Sequence, residues 1–125
     1  SDPTEIEAKV RAALEADPGI DTVMALNASV AGEPAVAAVK ALGRAGAVRV
    51  ATFDLSAGFL EAVAQGDAPC AIDNQQFLQG YLPVDFLALH AEYGLMPVGN
   101  VPSGPNLITK DKAAQVVELS AKGIR

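Results

Sequence analysis

Three apolar runs, residues 22–26, 48–53 and 70–73, punctuate a chain whose intervening stretches repeat apolar residues at helical spacing. Each run is short and rich in Val, Ile, Ala and Phe, the composition of a strand buried on both faces. Each also ends on a small polar side chain: Asn27, Asp54, and Asp73 with Asn74. Short apolar strands alternating with helices make a βαβαβ unit, in which the crossovers keep the strands parallel and bring their carboxyl ends to one edge. Open α/β sheets bind ligands at that edge. Asn27, Asp54 and Asn74 are therefore predicted to converge on one polar site.

The helices are framed by their own start and stop signals. Asp2 can cap a first helix, Pro3 suits its first position and Glu5 can complete a capping box, with Ile6, Val10, Ala13 and Leu14 as its apolar stripe. Asp17, Pro18 and Gly19 end it. A loop of small residues through Ala28, Ser29 and Gly32 leads to a second helix opening near Pro34, carrying Val36, Val39, Ala41 and Leu42 and closed by Gly43 and Gly46. Ser56 caps a third with Phe59, Leu60 and Val63, stopped by Gly66. The spacing of Phe77, Tyr81, Val84, Leu87, His90 and Ala91 predicts a long helix over 76–93, bent at Pro83 and ended by Gly94. Residues 96–105 hold Pro97, Gly99, Pro102, Gly104 and Pro105, the punctuation of a linker between lobes. A short strand at 106–108 and a last helix, capped by Thr109 or Asp111 and bearing Ala114, Val117 and Leu119, complete the chain. The expected architecture is α/β, a parallel sheet with helices on both faces.

Composition narrows the chemistry. At 125 residues, 50% of them hydrophobic, the chain can build one cored domain. A net charge of −6 argues against nucleic acid as a partner, because a phosphate backbone selects clustered Lys and Arg. The lone Cys70 cannot form an internal disulfide or a cysteine metal cluster, and in a strand run it reads as a small buried hydrophobe. His90, the single histidine, lies mid-helix with no triad or metal partner, so it reads as a partly buried or surface residue. Asp54 and Asp73 could be imagined as an acid and base, but no nucleophile, metal or oxyanion hole accompanies them. Gly43 and Gly46 do not make a dinucleotide fingerprint. Metal, cofactor and enzymatic turnover are thus not expected. The start at Ser1 is expected of a processed, trimmed or excised chain, and neither a membrane span nor a signal peptide opens it.

Several segments, in order, carry a resemblance. They are Ala25-Leu26-Asn27 with the small-residue helix and Leu42-Gly43; Thr52-Phe53-Asp54; Ala71-Ile72-Asp73-Asn74-Gln75 running into Phe77-Leu78-Gln79-Gly80-Tyr81-Leu82; and the ending at residues 103–110. Together they resemble the ribose-binding-like, type I periplasmic substrate-binding proteins of sugar ABC importers. The resemblance implies two α/β lobes joined by crossing strands that close on a sugar, in the periplasm or another extracytoplasmic space, with delivery to a membrane permease. It implies that Asn27 and Asp54 present hydrogen-bonding groups from the carboxyl-terminal lobe, that Asn74 stands at the hinge where relatives commonly carry Gln, and that Gln75 follows it as a further ligand residue. Ala28 and Gln76 replace an acidic residue and a proline that relatives often have.

Family members are roughly twice this length or more, so the chain resembles the carboxyl-terminal portion alone. On that reading residues 1–73 belong to the carboxyl-terminal lobe, 74–103 form a hinge crossing and a long helix of the other lobe, and 104–125 form a return strand and terminal helix. An incomplete sheet exposes an edge and apolar faces, so a homo-oligomer, a domain swap or association with the missing lobe is expected. The effector domain of a lac-repressor-type regulator shares the lobe fold and is the alternative. Sugar hydroxyls donate and accept at once, which suits amides and carboxylates at strand ends. The plainer reading of Asn27 and Asp54 is that they cap the turns that follow, and the two roles are compatible. Phe53, Phe59, Phe77 and Tyr81 could stack on a sugar but sit at core spacing, Phe77 being the one nearest the hinge. Glu7 and Arg11 could pair across one helical turn.

Overall fold

The computed structural model describes residues 2–125. Helix α1 (Pro3–Ala16) precedes strand β1 (Thr22–Ala25), and helix α2 (Glu33–Ala41) connects β1 to β2 (Arg49–Phe53). Helix α3 (Ala57–Gln65) leads to β3 (Cys70–Asp73), after which come α4 (Gln76–Tyr93), β4 (Asn106–Thr109) and α5 (Lys110–Ala121). The sheet order is β1-β2-β3-β4. The first three strands are parallel, Ala25 standing beside Thr52 and Thr52 beside Ala71, whereas β4 runs antiparallel to β3 with Ala71 beside Ile108.

That register sorts the side chains by face. Ala25, Val50, Thr52, Ala71, Asp73 and Ile108 are buried against the helices, and Val23 is half-buried on the same side. Their neighbours Met24, Phe53 and Leu107 alternate to the opposite face and are exposed. Successive right-handed crossovers that advance the sheet in one direction put their helices on one side. Helices α1, α2, α3 and α5 form that layer, α1 packing on α2 and α3 on α5. The α/β class is as expected, but within this chain one face is covered rather than two, and one strand of four is antiparallel.

The core centres on Phe59, Leu60 and Val63 of α3, all fully buried, against Val48 and Val50 of the sheet. Burying each such side chain contributes on the order of 2 kcal/mol, offset by the entropy of ordering it. Gly32 lets α2 and α3 approach closely, since a Cβ there would lie 2.9 Å from the Phe59 ring. Asp2 caps α1 through Thr4 N at 2.9 Å, and Ser56 caps α3 through Phe59 N at 3.3 Å. The loop expected through Ala28 to Gly32 is instead a π-helical turn, Ala28–Gly32, which flows into α2. Small side chains that read as loop residues also fit a wide helical turn once Asn27 caps it. In α5 the buried positions are Ala113 and Val116 rather than Ala114, because α3 covers a stripe set one residue earlier. On α1 the one-turn ion pair joins Glu5 to Lys9 at 2.7 Å, not Glu7 to Arg11. Cys70 is half-buried on the open face, and His90 is exposed.

Helix α4 is continuous through Pro83 and has no buried residue. Its side chains Phe77, Tyr81, Val84, Leu87 and Tyr93 are exposed, with Phe77 stacked on Tyr81 at 5.7 Å between ring centroids. A hydrogen bond with Asp85 holds the Tyr81 phenol above its ordinary pKa, and one with Glu92 does the same for Tyr93. At the start of α5, the Thr109 hydroxyl donates to Asp111 and holds that carboxyl below its usual range. This support exists while Asp111 is ionised, at neutral pH, and disappears as pH falls through its lowered value.

Two long-range ties close the fold. Arg44 donates from Nη1 to Leu14 O at 3.0 Å and from Nη2 to Pro18 O at 2.9 Å and Ile20 O at 2.8 Å, satisfying carbonyls where α1 ends. Arg125 reaches the fully buried Asp73, with Nε 3.0 Å and Nη2 2.5 Å from Oδ2. Substituting Arg44→Ala should lower stability by about 2 kcal/mol, read as a reduced urea midpoint with unchanged slope. Arg125→Met should cost roughly 3 kcal/mol because it strands a buried carboxylate, whereas the double variant Arg125→Met with Asp73→Asn should recover part of the loss. Additive losses in the double variant would show that the two residues do not interact.

Candidate functional site

Strands β1, β2 and β3 end at the same edge, and the residues just past them make the site. Asn27 lies two positions beyond Ala25 and Asp54 two positions beyond Thr52, and those two residues are paired partners in adjacent strands. Asn74 follows Asp73, the last residue of β3. The parallel register thus sets the polar residues side by side along one rim, as the strand pattern predicts.

Asn27 has both an exposed side chain and a capping role. Its Oδ1 accepts from Val30 N at 2.9 Å and from the Ser29 hydroxyl at 3.3 Å, while its backbone carbonyl accepts from Gly32 N at 2.9 Å. Capping fixes the amide plane and leaves Nδ2 turned away from the turn. Asp54 is half-buried in the left-handed region at φ 68°, which Asp tolerates better than most residues. Its Oδ1 accepts from Asn74 Nδ2 at 3.2 Å and from Gln76 Nε2. Asp54 and Asn74 therefore touch, although 20 residues separate them in sequence.

Gln75 is also left-handed, at φ 51°. Such a conformation costs on the order of 1 kcal/mol for a residue with a side chain, so neighbours must hold it. The Gln75 N–H donates to Asp73 Oδ1 at 2.8 Å and its Nε2 to Ser103 O at 2.5 Å. Gln79 completes the junction, donating to Asn74 O at 2.8 Å and to the Ser103 hydroxyl at 2.9 Å. Gly104 runs across the junction, where a Cβ would lie 2.8 Å from Asp73 O and so admits no side chain. Gln75 is thereby a tie between the end of β3 and the segment leading to β4, with its amide nitrogen engaged and its amide oxygen without a donor among the described residues.

Beside the rim, Ser56 Oγ donates to Glu33 Oε1 at 2.6 Å, linking the starts of α2 and α3. The carboxylate occupies the space a side chain at Gly58 would need, since a Cβ there would meet Glu33 at 2.7 Å. Sequence reading missed Gln76, Gln79, Ser103 and Arg125 as members of this network. Gln76 and Gln79 carried a weak local signal as a polar run opening an otherwise apolar helix, but Arg125 lies 52 residues from its partner and carried none. Phe59 proves to be core, Phe53 lies on the open sheet face and Phe77 is exposed on the first turn of α4.

Chemically, the rim offers amides and a carboxylate at fixed positions: a hydrogen-bonding surface with few rotatable bonds. Among the described residues no three His, Cys, Asp or Glu side chains gather as metal ligands would. No described helix is long and apolar enough to cross a membrane.

Comparison with known proteins bears on the fold. Residues 1–95 match the family described as periplasmic binding protein domain. The fold matches a carbohydrate transporter from Acidothermus cellulolyticus 11B, solved in complex with myo-inositol, at 31% identity and a TM-score of 0.85, covering 99% of this chain and 43% of that one. A sugar-binding protein of a sugar ABC transporter from Bacillus halodurans matches at 21% identity and a TM-score of 0.77, over 91% of this chain and 43% of that one. An ABC transporter periplasmic solute binding protein from Actinobacillus succinogenes 130z, with bound D-allose, matches at 23% identity and a TM-score of 0.74, over 91% and 39%. At those lower identities the likeness is one of fold. The chain spans less than half the length of each of these proteins. Among curated proteins nothing matches. With the family match over most of its length and a rim at the carboxyl ends of its parallel strands, the chain belongs to the periplasmic binding protein domain family.

Proposed function

We propose that this chain supplies one wall of an extracytoplasmic solute receptor, a binding protein without turnover that captures a small polyhydroxylated ligand, a sugar or cyclic polyol, between two lobes and delivers it to an ABC permease. The observation that carries the reading is the convergence of Asn27, Asp54 and Asn74 on one sheet edge, with Asn74 hydrogen-bonded to Asp54 at 3.2 Å. A polyol hydroxyl both donates and accepts, and Asp54 Oδ2 and Asn74 Oδ1 supply acceptors while Asn27 Nδ2 supplies a donor. Gln75 adds its unengaged amide oxygen and holds the turn from which Asn74 projects. The relative at 31% identity was solved with myo-inositol, a neutral cyclic polyol, which suits the same set of groups.

The division of labour follows from where the chain is packed. Residues 1–73 form part of one lobe, whose core lies between the sheet and four helices. Residues 74–103 cross the hinge and present α4, apolar and exposed along its length, to the second lobe. Residues 104–125 return through β4 to the first lobe, where Arg125 meets Asp73. The remaining portion of a receptor more than twice this length would cover α4 and oppose the rim. Closure would then bury the ligand between walls and present both lobes in register to the permease.

A single wall binds weakly, because small-ligand affinity depends on burying most of the ligand surface. Titrating the chain with myo-inositol, D-allose and D-galactose, followed by backbone amide shifts, should give saturable changes at Asn27, Asp54 and Asn74 with affinity of roughly 1 mM or weaker. Asp54→Gly should abolish those changes while preserving the fold, since glycine accepts the left-handed backbone at that position. Saturable shifts that cluster elsewhere, or that survive in Asp54→Gly, would refute this assignment.

A further inference from the structure

One more side chain stands at the rim. Gln76 opens α4 with an exposed side chain, and its Nε2 donates across 22 residues of sequence to Asp54 Oδ1, the same oxygen that accepts from Asn74 Nδ2 at 3.2 Å. An amide carries its donors on nitrogen and its lone pairs on oxygen, so fixing the nitrogen fixes the direction of the carbonyl. The opposite orientation would set two carbonyl oxygens against a carboxylate, which is repulsive. Both amides are therefore oriented by one anionic oxygen. In this arrangement Asp54 Oδ2, Asn74 Oδ1 and Gln76 Oε1 engage no hydrogen-bond donor among the described residues. Arg125, the cation tied to the adjoining strand end, is occupied by Asp73.

We propose that Gln76 is a specificity-determining residue of this rim: oriented with Asn74 by Asp54 Oδ1, it completes a set of three acceptor oxygens, so that the site takes a neutral ligand through its hydroxyl donors and rejects one bearing a carboxylate or phosphate. The inference rests on the reading of the rim as a polyol site. Its physical basis is that an anionic substituent would meet a carboxylate and two carbonyl dipoles of the same sense, with no free cation in the network among the described residues to offset them. A neutral hydroxyl exchanges a hydrogen bond to water for one to an acceptor already in place. Gln76 also reaches further than Asn74 by one methylene and comes from the helix rather than from the strand end, so it addresses the ligand from the α4 side of the hinge.

The position allows a clean test. Gln76 is the first residue of α4, where a backbone N–H needs no intrahelical partner, so Gln76→Leu removes the amide at similar side-chain length without constraining the left-handed Gln75 before it. Gln76→Ala serves as the second variant, and well-dispersed amide spectra establish that each is folded. The nitrogen-15-labelled chain is titrated with D-galactose and with D-galacturonate, which differ only in the carboxylate at carbon six. Expected are shifts of the Asn74 and Gln76 side-chain amides with galactose, binding of galacturonate at least about tenfold weaker, and loss of about tenfold in galactose affinity in both Gln76 variants. Without ligand, Asp54→Gly should move both side-chain amide resonances, since both donate to that carboxylate. Gln76 variants that bind galactose like the parent, a preference for galacturonate, or side-chain amides indifferent to Asp54→Gly would each overturn this proposal while leaving the rim as a polyol site. Absence of any response to galactose, myo-inositol and D-allose would overturn the polyol reading and this inference with it.

Discussion

A single buried carboxylate sets the geometry on which the rim depends. Asp73 is the one charged residue that is fully buried among the described residues, and an unpaired carboxylate there would cost several kcal/mol. Its two oxygens are assigned to different tasks. Oδ2 takes the guanidinium of Arg125, which draws the end of the chain back beneath the sheet, and Oδ1 takes the Gln75 N–H. The second bond helps hold Gln75 in the left-handed region, and the turn it makes is what aims Asn74 toward Asp54. A charge buried on the helix side of the sheet thus positions the amide of the next residue, Asn74, on the rim through the one hydrogen bond that holds the Gln75 turn.

Packing explains why that rim is open. The core lies between one face of the sheet and a layer of four helices, and the alternation of side chains leaves Met24, Phe53 and Leu107 on the other face. Helix α4 adds nothing to this core. It is apolar around much of its circumference, a property of helices that are surrounded by partners, yet none of its residues is buried within this chain. The junction between β3, α4 and the segment before β4 is polar instead, built from Gln75, Gln79 and Ser103. Polar bonds of this kind fix a crossing point while leaving the elements on either side to be held by their own apolar surfaces.

Much of the fold was legible because its signals are local. The three parallel strands end within a residue or two of the apolar runs, Asp2 and Ser56 cap the helices they were expected to cap, and α4 spans 76–93 as its periodicity indicates. The convergence of Asn27, Asp54 and Asn74 was legible for a different reason: parallel strands share an end, so residues just past each strand must be neighbours. What escaped the sequence depends on contacts that no local window contains. Which face the helices cover follows from the order of strands in the sheet. The antiparallel entry of β4 follows from the path of the linker. Arg125 looks like an ordinary terminal cation until Asp73 proves to be buried. Gln76 reads as a helix-opening polar residue until its reach to Asp54 is seen.

The rim also shows how polar side chains can be ordered without being buried. Exposed Asn and Gln side chains ordinarily sample several rotamers, and immobilising each on binding costs about 1 kcal/mol. Here the cost has been met within the protein: Asn27 is fixed by Val30 N and Ser29, Asn74 and Gln76 by Asp54, and Gln75 by Ser103. Each of these bonds uses one end of a bifunctional group and leaves the other end without a partner among the described residues. Internal pairing therefore does not compete with recognition. On the proposed reading it selects which half of each amide a ligand would meet, and so whether the rim addresses a donor or an acceptor.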